Sequence, residues 1–177
     1  MTTAEVNKNF TKTIGDWNLA LDKYTEEQFA VRPDSESWSI GQVCQHLMLS
    51  TGRVFLIIDK CLEGNQNETE QKSDIGEISF KQNALPDMKV KLPLTVQPTP
   101  EQPQNKQVVK NEFEKIQNNF NRLSEVVSKS SSRGKEKHPV LGFLNSAEWL
   151  QTLDMHFRHH IRQKGRIDSF LNSRVSK

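Results

Sequence analysis

The chain has 177 residues, 34% of them hydrophobic and 26% charged, with a formal net charge of +2. That length fits one domain with a core of useful size. Lysine and arginine are dispersed, with no basic stripe interleaved with aromatics, so nucleic-acid binding has little electrostatic support. No apolar run reaches the length of a membrane span, and the start Met-Thr-Thr-Ala-Glu lacks the basic-then-apolar pattern of a signal peptide.

The first helix is predicted from about Thr3 to Tyr24. Thr2 and Glu5 have capping-box spacing, and Val6, Phe10, Ile14, Trp17, Leu21 and Tyr24 follow at three- and four-residue steps. Residues 25–37 read as a connector. Thr25 and Gln28 can cap a short turn that docks Phe29, before Arg32-Pro33 and the polar run 34–37 break the pattern.

A second helix starts after Ser39, with Gln42 three residues on as its box partner and Trp38 covering the first turn as a hydrophobic staple. Val43, Leu47, Val54, Ile57, Ile58 and Cys61 make its apolar face, His46 sits at the edge of that face, and Gly64 is the expected stop. Cys44 and Cys61 lie on this helix roughly 25 Å apart, too far to bridge within a monomer. Free thiols fit a reducing compartment, and the expected location is the cytoplasm.

Residues 64–107 are rich in Asn, Gln, Glu, Lys and Pro. Met88, Val90, Leu92, Leu94 and Val96 alternate with mostly polar residues, as in an extended segment, although Pro93 confines it to an edge. A connection this long within a compact domain is expected to be a crossover draped over the bundle, anchored by Phe80, Leu85 and Leu92. Residues 64–73 read as flexible.

The third helix is predicted from about Lys106 to Ser128, with Val109, Phe113, Ile116, Phe120, Leu123 and Val127 on one stripe. Residues 129–137 read as an exposed loop and residues 138–142 as a turn. The fourth helix, capped by Asn145 or Ser146, then runs to about Leu171. Its inward face carries Trp149, Leu153, Phe157, His160, Ile167 and Leu171, with His156 at the edge.

His156 and His160 are four residues apart and so stack on one side of the helix. Such a pair is either two satisfied core histidines or the start of a metal site that needs a third ligand. His46 occupies a mirrored edge on the second helix. His159 falls about 100° away from His160, outside the apolar sector, and is expected at the rim. His138 is expected as a turn residue. Three neutral imidazoles bind a divalent transition metal and leave positions open, which suits a catalytic site better than a closed structural one. Gln42 and Gln163 flank the histidines by about one turn, and Ser50 and Trp149 are further candidates for the surrounding pocket. Neither cysteine is placed as a nucleophile, and no residue identifies itself as a general base.

Two stretches resemble the DinB-like (DinB/YfiT) superfamily. One is Trp38 to Leu47, Trp-Ser-Ile-Gly-Gln-Val-Cys-Gln-His-Leu, which is similar to its second-helix metal motif. The other is His138-Pro139 with Gly142, then Glu148-Trp149, then His156, His160 and Gln163, which is similar to its fourth-helix region. The resemblance implies an all-α, four-helix bundle, up-down-down-up, as a single domain over residues 1–177 with the long crossover between helices two and three. It implies a divalent metal (nickel, zinc, iron or manganese) on His46, His156 and His160, and often a homodimer. It also implies an enzyme acting on a small molecule, either a transferase that uses a low-molecular-weight thiol or a hydrolase. A non-catalytic metal- or ligand-binding bundle is the alternative.

Overall fold

The computed structural model describes residues 1–87 and 99–175. Among these described residues six helices and one hairpin follow in chain order: α1 (Thr3–Leu21), α2 (Glu26–Ala30), α3 (Ile40–Leu62), α4 (Asp74–Gln82), α5 (Lys106–Lys129), β1 (Lys135–His138), β2 (Gly142–Asn145) and α6 (Ser146–Val175). The long helices start where the sequence places caps. Thr2 and Glu5, Thr25 and Gln28, and Ser39 and Gln42 each form reciprocal capping boxes. Asn145 and Glu148 do the same for α6, with both bonds at 2.9 Å.

Helices α1, α3, α5 and α6 form the bundle, and side-chain pairs fix their directions. Thr13 meets Asp154, Trp17 meets Phe157 and Tyr24 meets Asp168, so α1 and α6 run parallel. Thr11 meets Gln117 and Asp22 meets Lys110, so α5 runs against α1. His46 meets His156 and Cys61 meets Leu144, so α3 runs against α6. The order is therefore up-down-down-up, and residues 63–105 make the parallel step from α3 to α5 that a short loop cannot. The core closes on aromatics: Phe10 stacks on Phe120 at 4.0 Å and meets Phe157 edge-on at 5.2 Å.

Two sequence expectations change. Residues 64–73 are bonded in rather than loose. Lys135 N–H donates to Gln66 O at 2.8 Å, Phe143 N–H to Gln71 O at 3.1 Å, and Ser73 N–H to Leu141 O at 2.9 Å. Residues 129–142 are more than loop and turn, since 135–138 and 142–145 pair as an antiparallel hairpin. Only Leu144 of the two strands is fully buried, so no apolar alternation advertised them. The crossover also contains the nine-residue helix α4, which ends on Asn83 in the left-handed region at φ 48°. Phe80 and Leu85 pack against the core as expected. The extended segment expected at Met88–Val96, with its anchor Leu92, lies outside the described residues.

Candidate metal centre

The antiparallel contact of α3 and α6 sets His46 opposite His156 and His160. His156 Nε2 lies 3.2 Å from His46 Nε2 and 3.0 Å from His160 Nε2. One donor atom from each of the three histidines lies within 4.8 Å of the others. Among the described residues this is the one group of three or more histidines, cysteines or acids spaced to share an ion, and it contains no carboxylate or thiol.

The protonation pattern is constrained by a neighbour. Gln163 Oε1 stands 2.7 Å from His160 Nδ1. A carbonyl oxygen only accepts, so Nδ1 carries the proton and Nε2 presents its lone pair to the cluster. A neutral His156 has at most one Nε2 proton to offer two facing nitrogens. The remaining close contact is eased by a cation placed between the rings.

Burial keeps the rings neutral. It is the main cause that lowers the pKa of His46 to about 4, with Arg53 adding to it. It also lowers that of His160 to about 3, with His46 the next contributor. His156 is pushed well down, first by burial and then by His160 and His46. At neutral pH all three are therefore in the form that binds metal.

The other sequence candidates divide. Gln163 touches the cluster through His160. Gln42 does not: its Oε1 closes the cap on Ser39 N, and its Nε2 donates to Pro100 O at 2.9 Å, pinning the returning crossover. Ser50 is half-buried one turn beyond His46. Trp149 is buried, its ring 5.3 Å from that of His138 and its Nε1 without an acceptor among the described residues. His138 Nδ1 accepts the backbone N–H groups of Val140 and Leu141, both at 3.1 Å, which makes it a turn residue. His159 is half-buried, with Nδ1 3.0 Å from Arg162. Trp38, read from sequence as a staple, places its ring 5.2 Å from that of His46 and so also walls the site. The signal was its fixed distance from His46 on a capped helix, where a cap residue and a site residue look alike.

The family model described as the DinB superfamily matches residues 9–163. The matched span takes in all three histidines and ends on Gln163. No curated protein and no solved structure matches the chain.

Proposed function

We propose, from the premise that the chain belongs to the DinB superfamily, that His46, His156 and His160 hold one divalent transition metal in a small-molecule enzyme. The reaction class we favour is thiol-dependent transfer, with hydrolysis next. The observation that carries this reading is the single nitrogen of His156 facing two others at 3.0 and 3.2 Å, with no acid among the three donors.

A divalent ion held there supplies Lewis acidity, which lowers the pKa of a thiol or water so that a nucleophile exists near neutral pH. The chain's own residues do the rest. Three imidazoles contribute no negative charge, so the full charge of the ion acts on what it binds. Gln163 holds the His160 ring in one tautomer and one orientation. Trp38 shields His46 from bulk water on one side.

A non-catalytic metal-binding bundle is the second reading, and one observation favours it: no carboxylate stands within the donor group to act as general base. Elemental analysis of purified protein tests the metal, and turnover with a panel of small thiols and electrophiles separates the two readings. Protein that retains no metal after purification and reloading would rule out both.

A further inference from the structure

We propose that the anionic end of a small-molecule substrate is received by Arg53 and the indole N–H of Trp149, about two helical turns from the imidazole cluster. The substrates of this centre would then carry a carboxylate, phosphate or sulfonate besides the group that reacts. The proposal rests on the metal-centred reading above.

The placement follows from register. Arg53 lies seven residues after His46, and Trp149 lies seven residues before His156. Seven residues bring a helix back to nearly the same face, about 10 Å along its axis. Because α3 and α6 are antiparallel, both steps lead the same way from the cluster, toward the hairpin. His138 on β1 lies against the Trp149 ring.

Among the described residues both groups are donors without acceptors. Arg53 is exposed and forms no hydrogen bond or ion pair among the described residues. Trp149 is 3% exposed, and its Nε1 has no partner among the described residues. A buried donor left unpaired is costly, and a guanidinium is well shaped for an oxyanion. Half-buried Ser50 lies between His46 and Arg53 on the same helix. The acid at the start of α6 is committed elsewhere: Glu148 binds Lys72 Nζ at 2.6 Å and caps Asn145. The three imidazoles are neutral. An anion entering this seam would meet the Arg53 guanidinium and an indole donor, and the charge of a divalent ion where the three imidazoles hold one.

Cobalt(II)-loaded protein provides the test, because thiolate binding to cobalt gives an absorption band. Mercaptocarboxylates of graded chain length are titrated beside mercaptoalcohols of the same lengths. At one length the acid should bind about tenfold more tightly than the alcohol. Arg53→Gln should remove that preference, and Trp149→Phe should reduce it several-fold, both leaving alcohol binding unchanged. Equal affinity for acid and alcohol at every length, or a preference that survives in Arg53→Gln, overturns the proposal. A preference unchanged in Trp149→Phe removes the indole from it. Failure to take up cobalt at all would instead refute the metal centre itself.

Discussion

His46 and His156 are 110 positions apart in the chain, yet their Nε2 atoms lie 3.2 Å apart. Two half-buried neutral imidazoles meeting nitrogen to nitrogen gain little on their own, and the buried His160 adds a third at 3.0 Å from His156. The arrangement makes sense around a cation, and it yields direct tests.

His156→Ala removes the central nitrogen and should abolish metal retention. His159→Ala removes a ring whose Nδ1 faces Arg162 and should leave retention nearly intact. Metal-to-protein ratios after dialysis decide the matter, and equal loss in both variants would show that the wrong face of α6 had been assigned.

Gln163 acts on the centre through His160. Gln163→Leu should weaken metal binding about 10- to 100-fold, the usual loss when the partner of a ligating imidazole is removed. Gln163→Glu keeps an acceptor for His160 Nδ1 and should lie within a few-fold of wild type. Competition with a chromogenic chelator measures both.

The metal-free protein should lose stability on acidification. The folded-state pKa values of His46 and His160 are about 4 and about 3, below the value near 6.5 of an unfolded histidine. Below pH about 6.5 the unfolded chain takes up protons that the folded chain refuses, so stability keeps falling as pH drops through about 4 toward about 3, the folded-state values of His46 and His160. His138, lowered to about 4 by burial, adds in the same direction. Thermal melts of chelator-treated protein between pH 7 and pH 4 should show a declining midpoint, and a flat profile would contradict the buried neutral rings.

The hairpin depends on one glycine. Gly142 has φ +81°, and a Cβ there would meet the backbone nitrogen of Ser73 at 2.3 Å and Lys72 C at 2.7 Å. Gly142→Ala should cost about 2 kcal/mol or more, because both the conformation and the space are wrong. Urea unfolding reads the loss. Residues 65–73 should then become a protease target, whereas in the wild type their hydrogen bonds to the hairpin protect them.

Asp154 is 1% exposed and is held by Thr13 Oγ1 and Arg158, both at 2.9 Å. Arg158 also donates to Asn83 O at 2.8 Å, tying the end of α4 to α6. Arg158→Met should destabilise by about 2–3 kcal/mol, less than a fully buried pair because a third of the Arg158 side chain is exposed. Restoration of stability by adding Asp154→Asn would confirm that the unpaired carboxylate is the cause.

The sequence by itself determined the four long helices and their starts. Caps such as Thr2 with Glu5 and Ser39 with Gln42 are local chemistry, and stripes such as Val109 to Val127 repeat at the helical period. It also determined which histidines share a face, since His156 and His160 follow from spacing alone. Tertiary structure decided the rest. The distance between His46 and His156 depends on the antiparallel packing of α3 on α6, which no local pattern encodes. Gln42 and Gln163 look alike in sequence, each about one turn from a histidine. The fold sends one to Pro100 and the other to His160. The hairpin stayed hidden because its strands are short and largely polar, and because its partner, residues 66–73, returns from more than sixty positions away. Local propensity reaches one helical turn, and everything that depends on two distant segments meeting is settled only when the core closes.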